Sequence, residues 1–332
     1  MRSGWLSAVF LLCVCSCITL PGRAETPILI RFSHVVASDT PKGKAAERFK
    51  ELAEKYTAGK VKVEIYPNSS LYKDKEELEA LQLGAVQMLA PSLSKFSPLG
   101  VREFEAFDLP FIFPNRASLH RATQGELGKI LFKKLESKGI VGLAYWDNGF
   151  KLMSANKALH RVADFKGLKM RVQPSRVADA QMRALGAIPQ TLPFSDVYQG
   201  LQSGVVDGTE NPASNFYTQK MHEVQKHLTI SNHGYLGYAV IVNKKFWDNL
   251  PAELRAQLEQ ALVVATHYGN AIADQENQQA LEAIRKSGKT VVYELSSQER
   301  QEWQKAMLQV YSEAEQRIGR ELVQSLRRLS QS

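Results

Sequence analysis

Between Pro251 and about Lys286 the chain places Leu254, Leu258, Leu262, Val263, Ala265, Ile272, Ala273, Ala280 and Ile284 on a roughly helical stripe. A helix of about 35 residues is ~50 Å long at ~1.5 Å per residue, longer than one small domain is wide. Such a rod does not fit inside one small core. It has to cross more than one packed body, and Pro251 suits its first turn.

Ahead of that stripe, short strands alternate with helices. Residues 28–32 read as an apolar strand ending in polar Ser33 and His34, and residues 42–57 as a helix with Ala45, Phe49, Leu52, Ala53 and Tyr56 on one face. Residues 61–66 alternate with period two, as a half-buried strand does. Residues 73–83 read as helix and 85–90 as a third strand. This β-α-β-α-β order implies parallel strands covered by helices.

A second set follows, with strands at 140–145 and 168–172 and a helix from Ser175 to Leu185. An extended stretch at 188–192 comes next, then a short helix capped by Ser195 up to Ser203 and a strand at 205–208. A third set returns at 238–242. Beyond the long helix lies a strand at 290–295. Ser296-x-x-Glu299 then fits a capping box opening one last helix towards Leu329. There is no internal repeat, low-complexity tract or Gly/Ser linker. Two α/β lobes tied by a long helix without a linker are expected to interleave and to flex against each other.

The three cysteines, Cys13, Cys15 and Cys17, all fall within a basic-then-apolar start. Arg2 precedes an almost uncharged run from Trp5 to Leu20, and Pro21-Gly22-Arg23-Ala24 breaks it. The layout is that of a secretory signal peptide cut after Ala24. A membrane anchor would need a longer run, ~20 residues. Lipidation at a degenerate box around Cys17 is the other alternative. Cleavage removes two of 42 basic and none of 34 acidic residues, leaving 40 − 34, or +6. A cysteine-free chain excludes disulfide frameworks, Cys-based zinc sites, iron–sulfur clusters and thiol catalysis. The positive charges are interspersed with negative ones, which argues against nucleic acid as a partner.

Motifs for other chemistries are missing. Gly125 to Lys129 lacks the earlier glycine of a phosphate loop, because Thr123 stands there. His222 and His227 are five apart, the wrong spacing for two zinc ligands on one helical face. No nucleophile elbow occurs. No cofactor or metal is expected.

Three stretches carry more polar detail than packing needs: Tyr145 to Lys151, Phe165 to Gln173 and Gly204 to Pro212, with Leu192 to Gly204 around the last two. In these segments the chain resembles the periplasmic solute-binding subunits of tripartite ATP-independent periplasmic (TRAP) transporters, in the branch binding four-carbon dicarboxylates. The carriers are Gly167-Leu168-Lys169-Met170-Arg171-Val172, Leu192-Pro193-Phe194-Ser195-Asp196-Val197-Tyr198 and Val206-Asp207-Gly208-Thr209-Glu210-Asn211-Pro212, in that order. Singly each is weak; together they are specific. The resemblance runs from Phe32-Ser33-His34 to the last helix.

It implies a two-lobed α/β flytrap, each lobe a mixed sheet flanked by helices, with the long helix spanning both. Lobe I is expected over 25–148 and 237–276, and lobe II over 149–236 and 277–332, behind the 1–24 leader. The implied function is periplasmic capture of a C4-dicarboxylate such as succinate, malate or fumarate, without catalysis. Delivery would be to the small and large membrane permease subunits. A keto, aromatic or sugar acid remains an alternative ligand. A sensor domain and a secreted α/β hydrolase or lyase remain alternative functions.

Arg171 falls on the family arginine that grips the ligand carboxylate with two parallel donors, which suits a planar guanidinium. Its alternative is a strand Arg paired with a surface carboxylate. Lys151 stands where the sialic-acid binders of the family have arginine, and is expected to hold the far carboxylate of a short diacid; its alternative is a solvated Lys. Asn211 matches a family asparagine that donates to the ligand, or is simply a turn former before Pro212. Phe194 matches an aromatic packed over the ligand, or fills core. His34, Lys42 and Ser92 lie where open α/β sheets place ligand contacts. Gln173 and Tyr235 complete the expected lining.

Overall fold

The computed structural model describes residues 26–331, so the leader and its cysteines lie outside the described residues. Among the described residues, eleven strands form two sheets. The first sheet holds β1 (Ile28–Ser33), β2 (Val61–Tyr66), β3 (Met88–Leu89), β4 (Ile140–Phe150) and, late in the chain, β10 (Tyr235–Asn243), in the order β2-β1-β3-β10-β4. The second holds β5 (Leu152–Ala155), β6 (Lys169–Val172), β7 (Ile188–Thr191), β8 (Gly208–Asn211), β9 (His227–Ile230) and β11 (Val291–Glu294), ordered β11-β9-β5-β8-β6-β7. Each sheet with its helices is one lobe.

The expected β-α-β-α-β start forms as read. β1 pairs in parallel with β2 and with β3, and the helix Pro41–Tyr56 buries Ala45, Ala46, Phe49, Leu52 and Ala53 against them. β10 returns antiparallel to both β3 and β4, which makes the sheet mixed. The second sheet is mixed too: β6 runs parallel to β7 and β8, while β5 runs antiparallel to β8 and β9.

Several expectations shift. The strand read at 205–208 lies at Gly208–Asn211, and β5 and β9 are additional strands. The helix expected over 73–83 is confined to Glu77–Gln82. Ser195 caps nothing, because its hydroxyl turns to Asp196. The capping box at Ser296 and Glu299 is present with both hydrogen bonds. It opens three helices rather than one, Ser297–Ala306, Leu308–Ile318 and Arg320–Gln331, broken at Met307 and at Gly319, whose φ is +100°. These last helices pack on both Arg176–Ala184 and the 102–124 region.

The long helix Ala252–Ser287 has 36 residues. It lies against Pro41–Tyr56 and β4 of the first lobe and reaches Ala213–Thr218 and β11 of the second. Its approach to the first helix is close enough that a Cβ on Gly269 would stand 2.7 Å from the Cβ of Ala45. Asn270 accepts the backbone N–H of Asp147 at 2.8 Å. Asn277 donates to the Asn148 carbonyl at 2.7 Å and accepts the Ser214 N–H at 3.0 Å. One helix thereby fixes the end of β4 and an element of the other lobe together. The strands cross between lobes at Phe150–Leu152 and again over 231–234, where the Lys151 N–H donates to the Gly234 carbonyl at 2.9 Å.

Candidate functional site

Between the sheets lies a cavity of ≈ 580 Å³. Its first-lobe wall comes from the loop after β1 (Val35, Val36), the start of the first helix (Lys42), and Asp74, Ser92 and Lys95; Leu236 and Tyr238 of β10 also line it. The opposite wall is Arg171 and Gln173 of β6 and its exit loop, Leu192 to Phe194, and Asn211 and Asn215 around the end of β8. Of the nine residues expected in the site, Arg171, Asn211, Phe194, Lys42, Ser92 and Gln173 are brought together here.

Arg171 is 2% exposed. Its Nε and Nη2 both donate to the Leu192 carbonyl, at 3.1 and 2.9 Å, while Nη1 has no partner. The guanidinium is thus oriented from behind, with its Nη1/Nη2 edge left for another acceptor. The Phe194 ring lies 5.9 Å from Cζ. Asn211, equally buried, has an unpartnered Nδ2, and its Oδ1 accepts from Asn215 at 3.4 Å. Two buried donors without acceptors on one cavity wall are costly unless something accepts from them.

Lys42 is almost completely enclosed. Its Nζ donates to the Ala90 carbonyl at 2.9 Å and stands 3.8 Å from the centre of the Tyr238 ring. The Tyr238 hydroxyl accepts from Asn148 at 2.7 Å and from Asn215 at 3.2 Å, so its own proton is free to point elsewhere. Burial raises the pKa of this phenol and keeps it protonated. Ser92 donates to the Gln173 side-chain oxygen from across the cleft.

The structure places three of the expected residues outside the cavity lining. Lys151 is not in the cavity wall: its ammonium is taken by Glu210 at 2.8 Å and Asp108 at 3.5 Å, and it is 3% exposed. A ligand carboxylate would have to displace Glu210 to reach it. Burial works against the Glu210 charge, but Lys151 and the imidazole of His233, 2.9 Å away, hold its pKa down at about 2. His34 lies behind the wall, fully buried with both ring nitrogens unpartnered. Burial, and then Lys42, push its pKa down to about 3, so it stays neutral. Tyr235 packs edge-on against Phe150 at 5.1 Å, away from the cavity.

The structure also adds residues. Lys95 is buried between Asp74 and Glu77, the latter at 2.6 Å. Burial disfavours its charge, yet the two carboxylates outweigh this and raise its pKa. Burial likewise opposes ionisation of Asp74, but Lys95, Arg171 and the Phe194 N–H hold it below the ordinary carboxylate range. Glu77, deeper, is raised by burial. Asp74 and Glu77 are three apart in a polar stretch, and nothing in the sequence ties them to Lys95. Tyr238 and Asn215 were hidden among strand and turn residues. Among the described residues no cluster of His, Cys, Asp and Glu is arranged to hold a metal ion, and no helix is long and apolar enough to cross a membrane.

Comparison with known proteins places this architecture. Residues 32–317 match the model of the bacterial extracellular solute-binding protein family 7. The chain is 63% identical over 310 residues to the C4-dicarboxylate-binding periplasmic protein DctP of Rhodobacter capsulatus, covering 93% of each. Among solved structures it is similar to a TRAP periplasmic solute-binding protein from Shewanella oneidensis with bound succinate. That match has TM-score 0.90 and 44% identity, over 92% of this chain and 100% of that one. It is also similar to one from Pseudomonas aeruginosa with bound L-malate, with TM-score 0.84 and 44% identity, over 86% and 100%. Two mixed sheets spanned by one long helix, with unsatisfied cationic and amide donors in the cleft between them, thus accompany a family match over most of the chain: it belongs to the bacterial extracellular solute-binding proteins of family 7.

Proposed function

We propose that this protein is the periplasmic solute-binding subunit of a TRAP transporter, capturing a C4-dicarboxylate such as succinate, malate or fumarate for a membrane permease of small and large subunits. The observation that carries the reading is the pair of buried, unpartnered donors, Arg171 Nη1 and Asn211 Nδ2, on one wall of the cleft between the sheets. A carboxylate supplies the acceptors and the negative charge that this wall lacks. Lys42, in the other lobe, is the cation placed for the second carboxylate, in the role first expected of Lys151. Tyr238 adds an O–H donor, and Phe194 covers the guanidinium. A ligand held by both lobes binds the closed arrangement better than an open one, so capture and closure are one equilibrium. Export behind the 1–24 leader puts the protein where such a permease receives its solute. The 63% identical relative and the succinate and malate complexes support the same class of ligand.

Titration calorimetry with succinate, malate, fumarate, a monocarboxylate, a keto acid and a sugar acid tests the reading. Wild type should bind the C4 diacids most tightly. Arg171→Lys, which keeps charge but loses the fork, should weaken them by at least tenfold, and Arg171→Ala by more. Unchanged affinity in both variants would sink the assignment of Arg171.

A further inference from the structure

Lys42 differs from the other buried lysines near the cleft in what surrounds it. Lys95 has Asp74 and Glu77, and Lys151 has Glu210 and Asp108. Lys42 has a carbonyl and the face of a ring. It is also the second residue of the helix Pro41–Tyr56, where the partial positive charge of the helix N-terminus disfavours an ammonium. The charged and titratable groups around it come from several elements. His34 lies after β1, Asp74 and Glu77 at the helix Glu77–Gln82, Lys95 in the turn after β3, Tyr238 on β10 and Arg171 across the cleft. The two carboxylates among them are spent on Lys95, and His34 is neutral.

We propose that dicarboxylate capture takes up a proton: Lys42 is largely the neutral amine in the free protein above neutral pH, and becomes the ammonium that holds the second ligand carboxylate. The inference rests on the dicarboxylate reading above. The proton comes from solvent or buffer onto the Nζ lone pair, and no other bond is made or broken. The site then carries its second positive charge only when there is an anion to pay for its desolvation. Burial, then Lys95, push the pKa of Lys42 down to about 7, with Glu77 and Asp74 offsetting part of that. Placing a carboxylate against Nζ raises it again, and by linkage the proton and the ligand strengthen each other's binding.

Calorimetry in buffers of different ionisation enthalpy, between pH 7 and 9, reads the protons directly. With succinate, wild type should take up about half a proton at pH 7 and close to one at pH 8. Its affinity should fall about fivefold from pH 7 to 8 and about ninefold more to pH 9. Lys42→Arg keeps a charge that does not titrate in this range, and Lys42→Met has none. Both should bind without proton uptake and with flat pH dependence, Lys42→Met more weakly than wild type at pH 7. Glu77→Gln should keep the uptake. Tight binding by wild type with no proton uptake at pH 8 overturns the inference and leaves the ligand reading standing. So does uptake that survives Lys42→Met or disappears with Glu77→Gln alone. Absence of binding by any C4 diacid across this range overturns the ligand reading, and the coupling with it.

Discussion

The carboxylate of Asp74, from the first lobe, accepts a hydrogen bond from the backbone N–H of Phe194, in the second. The same side chain is paired with Lys95 and lies near Arg171, so one carboxylate links the cations of both walls. Beside it, Lys73 and Asp196 pair at 3.0 Å across the same seam, and Ser92 meets Gln173. Closure is therefore built partly from contacts between the walls themselves.

Replacing Asp74 by Asn should shift the lobes towards an open arrangement. It removes a charge-assisted bond of the sort that contributes about 1.5–3 kcal/mol. Lys73→Ala, which breaks an exposed pair, should shift the balance by less than about 1 kcal/mol. Fluorescence transfer between dyes placed one on each lobe would read both. An unchanged distance distribution in Asp74→Asn would refute the role.

Lys151 is buried between Glu210 and Asp108, and removing Glu210 leaves its ammonium only the more distant Asp108, at 3.5 Å. Glu210→Gln should lower stability by about 3–5 kcal/mol. The double variant Lys151→Met with Glu210→Gln should recover a good part of that loss. Chemical denaturation of the three variants checks it, and a double variant no better than Glu210→Gln would contradict it.

His34 should make the protein acid-labile. Its folded pKa of about 3 lies below the ordinary 6.5. Below 6.5 the unfolded chain binds a proton that the folded one refuses, so this contribution is present above pH 6.5 and lost as pH falls towards 3. The slope from this one group is at most ~1.4 kcal/mol per pH unit. Thermal melts of wild type and His34→Leu between pH 7 and 4 should diverge in slope. Parallel curves would show that His34 is not the cause.

Gly269 is needed where the two long helices meet. Gly269→Val should destabilise by about 1–3 kcal/mol through overpacking against Ala45. Ala45→Gly in the same chain should relieve part of it. Denaturant midpoints of the single and double variants would decide, and a full-strength Gly269→Val would contradict the close approach.

What could be read in advance followed periodicity. β1, β2 and the first helix carry their burial pattern in plain sight, and Ser296 with Glu299 announces a helix start by local chemistry. β8 could not be read this way. Gly208-Thr209-Glu210-Asn211 looks like a turn, yet it is paired on both edges, with every residue buried. Its polar side chains are satisfied by, or reserved for, partners far along the chain, so hydrophobic alternation is silent there.

Arg171 stood out from the sequence because an arginine among apolar strand residues demands an acceptor. Lys151 was expected to hold the far carboxylate, yet its ammonium is already paired with Glu210 and Asp108. Sequence alone determined the alternation of strands and helices, the single helix long enough to cross both lobes, and the residue types available for gripping an anion. Only the tertiary structure decided which of those cations are free. Asp108 and Glu210 come from distant parts of the chain to consume Lys151, while Asp74 and Glu77 consume Lys95. A charge is available to a ligand only if no neighbour in space has already paired it, and strand order and lobe packing, not spacing along the chain, choose those neighbours.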